Sequence, residues 1–153
     1  IAPCAGVANI GKVADGYART VCRGNAGNAG LFSTTSDMLI LGQALLNGGI
    51  YQGRRILNQE TVSLMATVPD LEVGRALGWD CLSSNSYQKG AFSSRLSIWH
   101  TGYCGTMIVV DFENNMCIVL NSNRSHPSDT GYNAWMRHRG LIHGAIGAVM
   151  LQE

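Results

Sequence analysis

Charged residues are scarce in this 153-residue sequence. Charged residues make up 14% of it, where about 25% is usual for a soluble domain. The net charge is +1, so there is no electrostatic case for binding nucleic acid or an anionic membrane. We therefore expect no nucleic-acid partner, and we expect further polypeptide to cover part of the surface.

The sequence also lacks a long apolar run. No stretch approaches the roughly 20 residues that a membrane-spanning helix needs, so we predict no membrane span. The first residues, I-A-P-C, have neither a basic start nor a long apolar stretch, and they do not resemble a signal peptide. The cellular compartment is therefore left open.

The cysteines do not form a recognisable framework. They are Cys4, Cys22, Cys81, Cys104 and Cys117. No C-x-x-C pair occurs, and the odd number and irregular spacing argue against a disulfide framework and a structural zinc site. We expect free thiols that are mostly buried.

Metal-binding motifs are missing as well. Side chains that could bind a metal are present at His100, Cys104, His126, His138 and His143. No H-E-x-x-H motif supports a metal site, and solvated or core-bound side chains are the favoured interpretation. We predict no metal and no cofactor.

Motifs of nucleophilic catalysis are either absent or poorly placed. No G-x-S-x-G elbow occurs, and no spacing supports a triad built from His126 and Asp129. One Ser-x-x-Lys motif is present at Ser86 and Lys89. Its chemistry needs a serine at a buried helix start, with the lysine facing it one turn later. Because Gly90 follows at once in a serine-rich stretch, we predict a loop between strands and interpret the motif as accidental.

The first helix is predicted to begin at Thr34, because Thr34 and Asp37 have the spacing of a capping box. Its buried face is predicted to carry Met38, Leu41 and Leu45. The N-G-G sequence that follows ends the helix, since glycine adopts the left-handed conformation readily.

A second helix is predicted to begin at Asn58 as N-cap, to carry Val62 and Met65 inward and to stop before Pro69. Residues 1–30, rich in glycine and alanine, are predicted to be mostly loop.

Strands dominate the prediction after residue 75. They are expected at 76–82, 96–100, 106–112 and 116–121, with the last two forming a hairpin around 113–115. The runs M-I-V-V and C-I-V-L in that hairpin are apolar at every position, which indicates a sheet covered on both sides.

The last segment, 132–151, is predicted to be a helix. Its predicted apolar stripe consists of Ile142, Ala145, Ile146, Val149 and Met150. The order of elements predicts an α+β fold in which this helix packs on an antiparallel sheet. We interpret residues 1–153 as one domain, with a loop-rich lead-in at 1–30, a helical part at 34–68, strands at 75–122 and a helix at 132–151.

Several short motifs resemble one enzyme family when they are taken in order. They are G-N-A-G-L-F-S-T at 27–34, G-R-R-I-L at 53–57, G-W-D at 78–80, H-T-G-Y-C-G-T at 100–106 and N-S-N-R-S-H-P at 121–127. The series resembles β-lactamase-related and penicillin-binding serine hydrolases, whose corresponding motifs read G-H-A-G-L-F-S-T, G-x-R-I-L and H-T-G-x-x-G-T. It covers about residues 24–127. Asn28 stands where that family commonly has histidine.

The resemblance implies a β-lactamase and transpeptidase-like fold, an antiparallel sheet with helices on both faces. It implies acyl-enzyme hydrolysis, in which the serine of a Ser-x-x-Lys motif attacks a small ester, amide or lactam. In the family that serine lies upstream of the region matched here. We therefore interpret the sequence as the C-terminal part of such a domain and expect the isolated chain to be inactive. Its expected partner is the N-terminal part of its own domain.

The H-T-G box supplies the site residues that the resemblance implies. His100 would hydrogen-bond a substrate carboxylate or the proton-relay hydroxyl, and Thr101 would offer its hydroxyl to the same group. Gly102 would let substrate approach the strand. The backbone N–H of Tyr103 would be one of two oxyanion-hole donors.

Two other functions stay open at this point. In the first, a second chain supplies the Ser-x-x-Lys motif and completes the enzyme. In the second, the chain is a non-catalytic binding or structural module, or a gene remnant, that keeps the fold without the nucleophile.

Overall fold

The structure is a computed structural model that describes residues 3–4, 7–8, 10–129 and 131–152, with side chains from residue 10 onward. In chain order its elements are β1 (Pro3–Cys4), β2 (Val7–Ala8), α1 (Gly16–Thr20), α2 (Thr35–Leu46), β3 (Ile50–Tyr51), β4 (Arg54–Arg55), α3 (Gln59–Ala66), a 3₁₀ turn (Ser86–Lys89), β5 (Ser97–Thr101), β6 (Met107–Asp111), β7 (Met116–Leu120) and α4 (Tyr132–Met150).

The centre of the fold is an antiparallel sheet in the order β5-β6-β7. Its register places Trp99 opposite Val109 and Val109 opposite Ile118. Every residue of β6 is buried, because helices cover both faces of the sheet. The strands predicted at 96–100, 106–112 and 116–121 are confirmed to within one residue, and so is the α+β fold class.

Helix α2 covers one face of the sheet. Thr34 caps it, since the Thr34 hydroxyl accepts a hydrogen bond from the Asp37 N–H over 3.1 Å. Leu45 is 1% exposed, as predicted, but Leu41 is 38% exposed, and the prediction that it faces inward is wrong. Gly42 lies against the sheet instead, because α2 approaches β7 too closely there for a side chain.

Helix α3 completes the same layer. It begins after Asn58 and ends before Pro69, as predicted. Val62 is buried, and Met65 packs against the cluster that Val62 shares with Leu45.

Helix α4 covers the opposite face, and its predicted apolar stripe is wrong. Its buried residues are Arg139, His143 and Gly147. Within the stripe Ile142 is half-buried and Ala145 is exposed. Ile146 is 37% exposed, Val149 is 68% exposed and Met150 is 50% exposed.

Glycines explain this rotation of α4. A Cβ on Gly140 would lie 2.5 Å from the Tyr87 carbonyl oxygen, and one on Gly147 would lie 2.9 Å from Phe92 Cβ. The helix therefore turns its smallest residues toward the 3₁₀ turn and the chain after it. A search for apolar periodicity does not detect such a face.

Two other expectations fail locally. Residues 76–82 form no strand, because the chain folds back through Gly74 and Gly78 at positive φ and is joined to its neighbours only by isolated bridges. Ser86–Lys89 is a 3₁₀ turn rather than a loop. The loop-rich lead-in at 1–30 contains the short elements β1, β2 and α1.

The thiols agree in part with expectation. The four cysteines whose side chains are described are free, but only Cys81 is fully buried, while Cys22, Cys104 and Cys117 are half-buried. Cys4 falls outside the described side chains. Burial raises the pKa of the Cys117 thiol to about 11. In the part of the chain that the structure describes, no helix has the length and apolarity to cross a membrane.

Candidate active site

The H-T-G box lies at the end of β5, an edge strand of the sheet. β6 borders it on one side. On its other edge, Trp99 exchanges two backbone hydrogen bonds with Asp80, each 2.9 Å long. Beyond Trp99 this edge carries no further backbone pairing within the described residues, so the backbone of the H-T-G box is open to a ligand.

The turn that follows β5 directs the Tyr103 amide away from the partner strand. The Gly102 N–H donates to the Thr106 carbonyl over 2.8 Å, and the Gly102 carbonyl accepts from the Gly105 N–H over 3.0 Å. In a trans peptide the carbonyl of one residue and the N–H of the next point in opposite directions, so the Tyr103 N–H points away from the inside of the turn. Among the described residues no hydrogen bond uses that N–H.

The three residues of the box differ in exposure and contact. His100 is exposed, with its Nδ1 2.9 Å from the Thr101 carbonyl oxygen. Thr101 and Gly102 are half-buried. A Cβ on Gly102 would lie 2.2 Å from Thr106 Oγ1, so the packing of Thr106 by itself requires glycine at this position.

A groove of about 1110 Å³ runs beside the box and brings distant motifs together. Its walls are formed by four stretches of chain, 11–16, 26–33, 100–108 (without Gly105) and 119–123 (without Leu120), together with Met38. The G-N-A-G-L-F-S-T segment and the H-T-G box, about 70 residues apart in sequence, therefore line one cavity. A smaller cavity of about 160 Å³ also reaches His100 and Thr101, and is lined by Trp99 and Tyr132 among others.

A cluster that the sequence reasoning missed borders the groove at Tyr103. The Tyr103 hydroxyl donates to Asp129 over 2.5 Å, and Arg124 Nη1 lies 2.5 Å from the other Asp129 oxygen. The Arg124 guanidinium carbon is 4.6 Å from the Tyr103 ring centre and 4.8 Å from that of Tyr132, within cation–π range. The only available signal was the arginine in the motif at 121–127.

Hydrogen bonding sets the charges of this cluster. The Tyr103 hydroxyl, and after it the Arg124 guanidinium, hold the pKa of the Asp129 carboxyl below its ordinary value. Burial lowers the pKa of Arg124, but hydrogen bonds with Asp129 and Tyr103 outweigh burial and raise it overall. The pair is therefore charged at neutral pH.

Both residues of the Ser-x-x-Lys motif are hydrogen-bonded to other parts of the chain. Ser86 Oγ donates to the Cys81 carbonyl over 3.2 Å. Lys89 is 7% exposed, and its Nζ donates over 2.7 Å to Ser97 Oγ and over 2.8 Å to the Ser94 carbonyl. Burial lowers the pKa of Lys89. No hydrogen bond joins Ser86 to Lys89 in the described structure, and neither residue lines the groove.

The histidines lie in different surroundings. His143 is 1% exposed, and its Nδ1 is 2.9 Å from the Arg139 carbonyl oxygen on the same helix. His138 is exposed beside Trp135. Over residues 10–129 and 131–152, no three His, Cys, Asp or Glu side chains come together as metal ligands would.

Comparison with known proteins agrees with the motif series. A family model described as beta-lactamase matches residues 3–141. A protein of Escherichia coli (strain K12) named "Putative D-alanyl-D-alanine carboxypeptidase" is 37% identical over 118 residues, which cover 76% of this chain and 27% of that protein. Proteins of the same name from Escherichia coli O157:H7 and Salmonella gallinarum are 36% identical over the same shares.

The chain therefore spans about a quarter of the length of the curated relatives that it matches. The family match covers most of its residues, including the groove and the strand that carries the H-T-G box. This chain belongs to the beta-lactamase family.

Proposed function

We propose that this chain forms the H-T-G side of the active site of a serine hydrolase that acts through an acyl-enzyme. One observation carries the proposal: residues 27–33 and the H-T-G box, two parts of the motif series, line the same groove. Ligand sites are concave pockets in which a few polar groups converge, and this groove has that form.

The Tyr103 N–H is the proposed oxyanion donor. It points away from the inside of the turn and has no acceptor within the described residues. An unpaired amide at this position faces charge that develops only in the transition state. Removing one such donor typically lowers the rate by about 10²–10³.

His100 and Thr101 are proposed to hold the substrate or the proton-relay hydroxyl. When His100 Nδ1 donates to the Thr101 carbonyl, the neutral ring presents Nε2 as an acceptor. A protonated ring presents Nε2 as a donor, which suits a carboxylate. Gly102 lines the groove beside them, and its backbone is proposed to contact the substrate.

The substrate is proposed to be a small ester, amide or lactam. The names of the relatives favour a peptide amide between two D-alanines within this class. Such a substrate ends in a carboxylate, which His100 and Thr101 would bind.

The nucleophile is proposed to come from sequence outside these 153 residues, either elsewhere in the same polypeptide or in a second chain. Ser86 and Lys89 are not hydrogen-bonded to each other and lie away from the groove. The 153-residue chain by itself is therefore expected not to turn over substrate.

Intact-mass measurement after incubation with a fluorophosphonate, and separately with a penicillin, tests the proposal. We expect one adduct on the complete gene product that contains this chain and none on the 153-residue chain. An adduct on the short chain that Ser86→Ala abolishes would refute the placement of the nucleophile. If only a mixture of that gene product with a second chain that carries Ser-x-x-Lys forms the adduct, the second chain supplies the nucleophile. No adduct on either protein, and none on such a mixture, would refute the hydrolase and favour the non-catalytic module.

A further inference from the structure

We infer that Arg124 and Arg139 are positioning residues that hold the turn Gly102–Gly105 so that its Tyr103 amide faces the groove. The inference deepens the proposed function and rests on it for its catalytic consequence. Neither arginine lines the groove. Arg139 binds the carbonyl of the same peptide whose N–H is the proposed oxyanion donor, and Arg124 binds the carbonyl of the next peptide.

Arg139 binds both ends of the turn. It comes from α4, is 1% exposed, and donates from Nη2 to the Gly102 carbonyl over 2.6 Å. Its Nε donates to the Gly105 carbonyl over 3.3 Å, and Trp135 Nε1 donates to the same oxygen over 3.1 Å. The remaining Nη1 donates to Gln88 over 3.1 Å, which fixes the plane of the guanidinium.

Arg124 binds the middle of the turn. Its Nε donates to the Tyr103 carbonyl over 3.0 Å, and its backbone N–H donates to the Cys104 carbonyl over 2.9 Å. The ion pair with Asp129 and the two tyrosine rings hold the guanidinium in place. All four carbonyls of the turn are therefore hydrogen-bonded.

This pattern determines where the Tyr103 N–H points. In a trans peptide the carbonyl of one residue and the N–H of the next point in opposite directions. Because the Gly102 carbonyl is bound by Arg139 and also accepts from the Gly105 N–H over 3.0 Å, the Tyr103 N–H must face outward. Rotating this peptide would break two hydrogen bonds, one of them to a cation.

The cation also strengthens the amide as a donor. A charge-assisted hydrogen bond to a carbonyl polarises the whole peptide unit, so its N–H carries more positive charge. The Tyr103 amide belongs to the peptide unit whose oxygen Arg139 binds. The arrangement resembles other oxyanion donors in being pre-oriented before charge develops.

Lysine cannot replace either arginine in this role. Arg139 reaches Gly102, Gly105 and Gln88 from three nitrogens of one rigid plane, whereas a lysine ammonium is a single point charge on a flexible stem. The variants Arg139→Lys and Arg124→Lys therefore keep the charge and remove the geometry. Arg137, exposed on α4 and without a hydrogen bond or ion pair in the described structure, provides the matched control Arg137→Lys.

The first experiment is hydrogen exchange on the complete gene product, read on a peptide that covers residues 100–106. The Gly105 N–H is bonded to the Gly102 carbonyl, so its exchange reports whether the turn is closed. We expect Arg139→Lys to speed this exchange about tenfold or more, and Arg137→Lys to leave it unchanged. Equal exchange in wild type and Arg139→Lys would overturn the inference, whatever the activity.

The second experiment measures hydrolysis of p-nitrophenyl acetate, with active sites counted by fluorophosphonate titration. We expect Arg139→Lys and Arg124→Lys to lower kcat per titrated site by about 10-fold to 100-fold, less than complete loss of an oxyanion donor, with KM changed less than about twofold. A variant with fewer titratable sites and a lower Tm but an unchanged kcat per site would mean that the arginines only stabilise the fold. That result would overturn their role in positioning the Tyr103 amide. A wild-type protein that forms no adduct, either alone or with a second chain that carries Ser-x-x-Lys, would instead refute the proposed function. The exchange result would then decide by itself whether the arginines hold the turn.

Discussion

The close approach of α2 to the sheet predicts that Gly42→Ala destabilises the protein. An added Cβ would lie 2.1 Å from Cys117 Sγ, 3.0 Å from Cys117 Cβ and 3.8 Å from Val110 Cγ2. A sulfur–carbon contact of this kind needs more than 3 Å. The side chain of Cys117, on β7, lies between this strand and α2, so the helix or the strand must move to make room.

Two opposing effects determine the size of the change. Alanine favours a helix over glycine by about 0.8–1 kcal/mol. Overpacking a tight core costs about 1–3 kcal/mol, and the 2.1 Å overlap with Cys117 Sγ places this site at the upper end of that range. We expect the free energy of unfolding to fall by about 1–2 kcal/mol.

Gly144→Ala on α4 is the matched control. The nearest atom to its added Cβ is the Ala91 amide nitrogen at 3.7 Å, an ordinary contact, so only the helix preference remains. Urea unfolding should show Gly144→Ala to be neutral or stabilising by up to about 1 kcal/mol. If Gly42→Ala stabilises the protein as much as Gly144→Ala does, the described contact between α2 and β7 is wrong.

A double variant separates the steric clash from other effects. Cys117→Ala removes the sulfur and leaves the Cβ contact at 3.0 Å. In the double-mutant cycle, Gly42→Ala should cost at least about 1 kcal/mol less in the Cys117→Ala background than in wild type. An additive result would mean that the clash does not cause the loss.

Three further predictions concern buried polar groups. Burial lowers the pKa of His143 in the folded protein. As the pH falls below about 6.5, this histidine is therefore protonated in the unfolded chain before it is protonated in the folded protein. The free energy of unfolding should decrease from about pH 6.5 down to the pKa of His143 in the folded protein. His143→Gln should remove this dependence in urea titrations at pH 7.5 to 5, whereas His138→Gln, an exposed change on the same helix, should keep it. Lys89→Met should cost about 1–3 kcal/mol, because buried acceptors lose their donor, and Lys12→Met at an exposed position should change little. Ser86→Ala should cost under about 1 kcal/mol, because a half-buried hydroxyl loses one hydrogen bond; a much larger loss would mean that the 3₁₀ turn depends on it.

The elements that could be predicted from local sequence are those whose residue pattern has a single physical explanation. Thr34 caps α2 because the side-chain hydroxyl of the residue before a helix lies within hydrogen-bond distance of the backbone N–H three residues later. The apolar runs of β6 and β7 could only be buried strands, and the turn between them needs positive φ at Asn115, a conformation that asparagine tolerates. These features depend on neighbours within a few residues.

Helix faces were predicted less well because packing distance decided them. Gly42 and Gly147 carry no apolar side chain, yet they face inward because the helix backbone lies close to the Cys117 side chain and the Phe92 side chain, respectively. Leu41 and Val149 are more hydrophobic and remain exposed. Hydrophobic periodicity measures the side chains and does not measure the space available to them.

The candidate site shows the same division. The sequence by itself determined the family resemblance and the position of the H-T-G box, because both depend on residue order. Only the tertiary structure placed the G-N-A-G-L-F-S-T segment across the groove from that box. It also decided that Arg124 and Arg139, 19 and 34 residues after Gly105, bind the carbonyls of the turn. Contacts between residues so far apart are made by packing of helix on sheet, and residue order alone does not specify them.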